Sequence, residues 1–159
     1  AVDAPQGSLE LKTNGRSMYK NLQCIVKQAD SCNVLNIQEF GSSEKYLTGN
    51  YDLEILTLPE VYLEDVLISQ SHVTTIEIPA PGNITIMSSK RGYGSIYKID
   101  SNPMVWVCNL STELINENIT LQPGNYKIVF RSTYARKSVY TIEREFQVIS
   151  GAGASVKIY

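Results

Sequence analysis

Leu47-Thr48-Gly49-Asn50-Tyr51-Asp52-Leu53-Glu54-Ile55 and Gln122-Pro123-Gly124-Asn125-Tyr126-Lys127-Ile128-Val129-Phe130 are one stretch written twice, 75 positions apart. In both, a Gly-Asn pair supplies a turn, because glycine takes positive φ freely and asparagine tolerates it. In both, the tyrosine then opens a run in which every second residue is apolar: Tyr51, Leu53, Ile55 and Tyr126, Ile128, Phe130. That is the period of a strand with one buried face. The tyrosine is expected to bury its ring and keep its hydroxyl at the wet edge.

The match extends outward in both directions. Gly7-Ser8-Leu9-Glu10-Leu11 falls on Gly82-Asn83-Ile84-Thr85-Ile86 at the same offset. Val66, Ile68, Ile76 and Ile78 fall on Phe146, Val148, Val156 and Ile158 at an offset of 80. The change of offset implies a five-residue insertion in the second copy, in a hairpin near Ser132 to Ser138. Long stretches at helical spacing are absent; Glu60 to Leu67 fits one helical turn, a strand or a loop. Short alternating runs bounded by Gly, Pro, Asn and Ser predict an all-β chain of two tandem small antiparallel β-sandwiches, residues 1–79 and 80–159. Pro79-Ala80-Pro81-Gly82 joins them, and two prolines in so short a linker predict a restricted relative angle.

The composition fits this reading. At 159 residues the chain holds two domains near the lower size limit for a hydrophobic core. The formal net charge is −2 and no basic run exceeds Lys90-Arg91 or Arg136-Lys137, which argues against a nucleic-acid surface. No apolar stretch approaches the roughly 20 residues of a membrane span. Ala1 to Gln6 lack the basic-then-apolar pattern of a signal peptide and read as the edge of a mature or excised piece. The three cysteines, Cys24, Cys32 and Cys108, include no C-x-x-C, and His72 is the single histidine, so no zinc set is expected. Cys24 and Cys32 are close enough in sequence to bridge a hairpin; the plainer expectation is three small buried hydrophobes.

The pattern G-x-L-x-I, then L-x-P-G-x-Y-x-I-x-F, then V-x-I resembles the prealbumin-like accessory modules, including carboxypeptidase-regulatory-like and PEGA-type domains. The residues that carry it are Gly82 to Ile86, Leu121 to Phe130 and Val156 to Ile158, with Gly7 to Leu11, Leu47 to Ile55 and Ile76 to Ile78 in the first copy. The first copy departs from it where Thr48 replaces Pro. The segment Gly92-Tyr93-Gly94-Ser95-Ile96-Tyr97, taken with Leu121 to Tyr126, is similar to the C-terminal region of exported bacterial von Willebrand factor A proteins. The resemblance implies small seven-stranded sandwiches in an exported or cell-surface protein. It specifies fold better than function. The metal-binding D-x-S-x-S of a von Willebrand A domain is not completed by Asp100-Ser101-Asn102. The Y-R-G-S ending of transthyretin-like hydrolases is also missing, since the chain ends Val156-Lys157-Ile158-Tyr159.

No chemical constellation stands out. His72 precedes a strand with no nucleophile or carboxylate in a motif around it and reads as a turn histidine. Cys108 ends the apolar Met104-Val105-Trp106-Val107 and reads as core. Glu64-Asp65 and the pair Glu143 and Glu145 read as solvated faces. Arg91-Gly92-Tyr93-Gly94 lacks a phosphate-binding pattern and reads as a flexible loop or bulge. Asn83, Asn109 and Asn118 begin glycosylation sequons that chance explains in an Asn-rich chain. The one feature with a functional claim is the aromatic set of the second copy: Tyr93, Tyr97, Trp106, Tyr134 and Tyr140. Exposed on a sandwich, such rings stack on sugars or anchor a protein interface; buried, they fill the core. The leading expectation is therefore a non-catalytic structural or interaction module, without cofactor or metal. Its partner would be a protein or a neighbouring domain of the same chain; the alternative is a carbohydrate-binding module.

Overall fold

The computed structural model describes residues 4–15, 19–136 and 141–159. These residues form fourteen strands and no helix. The chain divides into two compact units, Ala1–Pro79 and Ala80–Tyr159. The first contains β1 (Gln6–Asn14), β2 (Gln23–Gln28), β3 (Val34–Glu39), β4 (Ser43–Leu47), β5 (Gly49–Ile55), β6 (Val61–Ile68) and β7 (Val73–Pro79). The second contains β8 (Gly82–Ser88), β9 (Gly92–Lys98), β10 (Val105–Asn109), β11 (Asn116–Leu121), β12 (Gly124–Ser132), β13 (Ile142–Val148) and β14 (Gly153–Ile158). The sheet orders are β4-β1-β7 and β3-β2-β5-β6 in the first unit, and β11-β8-β14 and β10-β9-β12-β13 in the second. The two units thus share one topology, a three-stranded sheet packed on a four-stranded one.

Alternation explains the packing. In the first unit Leu9 and Leu11 of β1 meet Cys24 and Val26 of β2, Leu53 and Ile55 of β5, and Ile68 of β6 in one buried cluster. In the second, Ile84, Ile86, Leu121 and Ile158 come from the three-stranded sheet and Ile96, Tyr126, Ile128, Phe130 and Val148 from the four-stranded one, all buried. Burying a Leu or Ile side chain stabilises by roughly 1.5–3 kcal/mol, so these few positions decide which face of each strand turns inward. The Glu60 to Leu67 stretch is strand, not helix.

Several details differ from expectation. The sandwiches are not wholly antiparallel: β7 runs parallel to β1, and β14 parallel to β8. The last strand of each unit crosses from one sheet to the other, so its direction follows from the strand it leaves and not from a hairpin with its neighbour. The extra residues of the second copy lie in the β12–β13 connection, which includes 137–140, outside the described residues. Register shows that they are six, not five: Ile55 pairs with Val61 and Phe130 with Ile142, and 61 to 142 is an offset of 81. One residue is returned by a bulge at Glu64-Asp65, where the β5–β6 register shifts between Tyr51 and Leu53. There Asp65 takes a φ of 54°, and its N–H donates to the Asp52 carboxylate at 3.1 Å.

The Gly-Asn-Tyr corner is built alike in both copies. Gly49 and Gly124 have φ of 151° and 154°, a region that a side chain resists. Two residues later the tyrosine hydroxyl donates to the carbonyl four positions before it, Tyr51 to Leu47 at 2.6 Å and Tyr126 to Gln122 at 2.5 Å. Tyr126 is fully buried, hydroxyl included. At Tyr126 the expectation of a wet hydroxyl fails because the corner supplies a carbonyl acceptor inside the fold. In the second unit the Asp100 carboxylate also accepts from the backbone N–H and the Nδ2 of Asn125, each at 2.7 Å.

Gly92, Tyr93 and Gly94 are strand, not a flexible loop. Both inward positions are glycine because neighbours take the space a side chain would need, the Arg131 carbonyl and Phe130 ring at Gly92 and Leu110 with Phe130 at Gly94. A Cβ on Gly92 would lie 2.4 Å from the Arg131 carbonyl oxygen and 2.5 Å from the Phe130 ring, and one on Gly94 would lie 2.6 Å from Leu110 Cδ1. Where Gly94 pairs with Phe130, the first unit pairs Cys24 with Ile55. A larger side chain on one strand is matched by a smaller one on the other.

Two outcomes follow for stability. Gly92→Ala is expected to destabilise the second unit by about 1–3 kcal/mol in chemical denaturation, and Gly94→Ala by less, because Leu110 can rotate away and a backbone oxygen cannot. The hydrogen bonds from Asn125 hold the Asp100 carboxyl below its usual range. Its contribution is therefore present above the unfolded value of about 3.9 and lost as pH falls through the folded one. The stability difference between wild type and Asp100→Ala should be constant near neutral pH and shrink on acidification below about pH 4.

Candidate binding face

β9 sends Gly92, Gly94 and Ile96 inward and therefore Tyr93, Ser95 and Tyr97 outward. Arg131, Val129 and Lys127 of β12 lie opposite those three in register. On the other side Trp106 of β10 lies opposite Tyr97, and after a bulge Asn109 lies opposite Ser95. Three of the five aromatic residues singled out from sequence thus share the outer face of one sheet. Tyr93 is 65% exposed and Trp106 55%, while Tyr97 is half-buried between them. Tyr134, 79% exposed, stands in the β12–β13 connection. Tyr140 lies outside the described residues.

One groove lies on the face and a second lies among the connections at its end, and the two meet at Tyr93. One, of about 420 Å³, is lined by Tyr93, Ser95, Tyr97, Asn109, Val129 and Arg131, among others. The second, of about 540 Å³, runs from Tyr93 past Lys90, Arg91 and Glu113 to Tyr134. Asn109 organises the first. Its Oδ1 accepts from Ser95 Oγ at 2.7 Å and from Trp106 Nε1 at 3.1 Å. Those two bonds orient the indole and fix the amide, whose Nδ2 makes no hydrogen bond among the described residues. In the sequence Asn109 stands out only as a sequon; its place opposite Ser95 depends on the bulge in β10.

The first unit supplies an internal comparison. Tyr51 and Tyr126 are equivalent, and from them register makes Gln23 the counterpart of Tyr93, Lys27 of Tyr97 and Val34 of Trp106. The bulge recurs at the same place, between Asn36 and Val34. The same sandwich therefore forms without rings at these three positions, its outer face carrying Tyr62 opposite Glu54 instead.

The remaining candidates are dispersed. His72 is an exposed turn residue whose Nδ1 lies 2.7 Å from the Gln70 carbonyl. Cys24, Cys32 and Cys108 are all free. Cys24 is buried, and burial pushes its thiol up to about 11. Cys32 is exposed, contrary to the expectation of a buried hydrophobe, because it sits in the β2–β3 connection beyond the inward positions of either strand. Cys108 is half-buried rather than core, since β10 is an edge strand; burial and the charge of Glu117 raise its pKa. Glu143 pairs with Lys127 at 3.5 Å and Glu145 is exposed. Among the described residues no group of three or more His, Cys, Asp or Glu is placed to hold a metal.

No known family profile and no curated protein matches the chain. Among solved structures it is similar to the Bacillus anthracis TIE protein, at 12% identity and a TM-score of 0.40, over 97% of this chain and 34% of that one. It is similar to GBS52, the minor pilin of Streptococcus agalactiae, at 10% identity and a TM-score of 0.47, over 98% and 94%. It is also similar to a streptococcal ancillary pilin, at 10% identity and a TM-score of 0.42, over 99% and 63%. The chain spans about a third of the length of the TIE protein.

The thiols order themselves by exposure and charge. In the native protein a neutral disulfide reagent should label exposed Cys32 first and buried Cys24 only on unfolding. Mass mapping of the labelled peptides gives the order.

Proposed function

We propose that this chain is a non-catalytic interaction module of a larger exported or cell-surface protein, with the outer face of the β10-β9-β12-β13 sheet as its recognition surface. The observation that carries the reading is the comparison between the two units. Gln23, Lys27 and Val34 serve the fold where Tyr93, Tyr97 and Trp106 stand in the second unit, so folding does not require the rings. Large amphipathic rings that folding does not require, held on a rigid sheet, suit recognition. The first unit then acts as a spacer that presents the second, and the face meets its partner, whether protein, neighbouring domain or glycan, through side chains. Export and a larger parent protein rest on the resemblance to prealbumin-like accessory modules of PEGA type and to the C-terminal region of von Willebrand factor A proteins.

A second reading, carbohydrate binding, is favoured by the exposure of Tyr93, Trp106 and Tyr134 together with the fixed amide of Asn109. Rings offer a stacking surface and the amide offers donors to hydroxyls.

The test exchanges one copy's residues for the other's. The triple variant Tyr93→Gln, Tyr97→Lys, Trp106→Val should keep its stability within about 1 kcal/mol of wild type, as surface substitutions do. On combined peptide and glycan arrays it should lose the binding that wild type shows. A variant that unfolds readily places the rings in a structural role; a stable variant with unchanged binding puts the recognition surface elsewhere.

A further inference from the structure

We infer that the ligand of this face is an acidic oligosaccharide, its sugar rings stacked on Tyr93 and Trp106 and its carboxylates held by the cations of the two grooves. The inference rests on the glycan reading of the same surface and adds the charge of the ligand. The chain as a whole carries a net charge of −2. The charged residues lining the grooves are nevertheless Arg131 in one and Lys90, Arg91 and Glu113 in the other, three cations against one carboxylate. The charge lining the grooves is opposite in sign to that of the whole chain, and Tyr93, Tyr97 and Tyr134 line the same grooves, with Trp106 across from Tyr97.

Arg131 and Arg91 have geometries suited to the role. Arg131 lies directly opposite Tyr93 in register. One guanidinium nitrogen, Nη2, donates to the Ala135 carbonyl at 3.2 Å, which steadies the side chain. Its other donors remain for a planar carboxylate, which a guanidinium can grip in two places. Arg91 meets Glu113 at 3.6 Å with both side chains largely exposed, a pair that water screens and an incoming anion can displace. Glu143, the acidic residue opposite Val129, is already engaged by Lys127. Asn109 adds neutral donors for hydroxyls beside Trp106.

An extended peptide fits this face less well. β9 is an interior strand, paired on both sides by β10 and β12, so its backbone has no free edge to which a partner strand could add. Recognition there must come from side chains: ring faces, an amide and guanidinium groups.

Trp106 is the single tryptophan of the chain, so its fluorescence reports on the face directly. The 159-residue chain should be titrated with hyaluronan hexasaccharide, and with chitohexaose as a neutral probe of the same ring count. The expected result is saturable perturbation of Trp106 emission by hyaluronan at a concentration at least tenfold below that needed for chitohexaose. Arg131→Gln should weaken hyaluronan about tenfold, the size of one charge-assisted contact, and leave chitohexaose unchanged. Raising the salt concentration from 50 to 500 mM should weaken hyaluronan selectively. Lys90→Gln with Arg91→Gln provides a second variant should Arg131→Gln disturb the β12–β13 connection. Equal binding of both saccharides, indifferent to salt and to these substitutions, overturns the acidic ligand and leaves the glycan reading standing. Failure of both to perturb Trp106 at millimolar concentration overturns the glycan reading and the inference together.

Discussion

The fold of each unit depends on a corner in which a glycine at a φ near 150° turns the chain and a tyrosine two residues later returns its hydroxyl to the carbonyl it has just passed. The strands that start there, β5 and β12, are interior strands of their four-stranded sheets. Fixing where such a strand begins fixes its register on both sides, and a slip of one residue would turn its buried Leu53 and Ile55, or Ile128 and Phe130, out into water. The corner also explains how the phenol of Tyr126 is buried without leaving a polar atom unpaired. A hydroxyl that satisfies a carbonyl of its own turn avoids the cost of two unpaired polar atoms.

The strands were legible because their period is local. Tyr51 to Ile55 and Tyr126 to Phe130 announce themselves by alternation, and the repeat doubles the signal. What stayed hidden depends on residues far apart in sequence. Gly92 and Gly94 read as a loop because glycine usually marks one; they are strand through pairing with β12, and Phe130 and Leu110 fill the space over them. With glycines at the inward positions, β9 shows no apolar alternation, so nothing in the sequence says that Tyr93 and Tyr97 point outward. Trp106 and Asn109 join them through a bulge whose position follows from pairing alone. The parallel pairing of first and last strands is likewise a property of topology. The net insertion was visible, but its division into six added residues and one at the Glu64-Asp65 bulge required the register.

Two copies of one topology in a single chain act as an internal control. Positions that agree, the corner glycines, their tyrosines and the inward aliphatics, report what the sandwich needs. Positions that differ divide into two kinds. Some differ in compensation, as Cys24 with Ile55 against Gly94 with Phe130, and conserve volume across a strand pair. Others differ with no compensating change beneath them, as the outer faces do, and are free to carry recognition.

The parallel pairing of β1 with β7, and of β8 with β14, has a mechanical consequence. Because the first and last strands of a unit run side by side in the same direction, the chain enters that unit at one end of the sheet and leaves at the other. Tension applied to the two ends draws the strands past each other lengthwise. The ladder between them, seven register pairs in the first unit and six in the second, is then loaded in shear. Bonds in that arrangement share the load and break together, whereas a hairpin pulled from its open end gives way one bond at a time. Each unit is in this sense a tensile link in its chain.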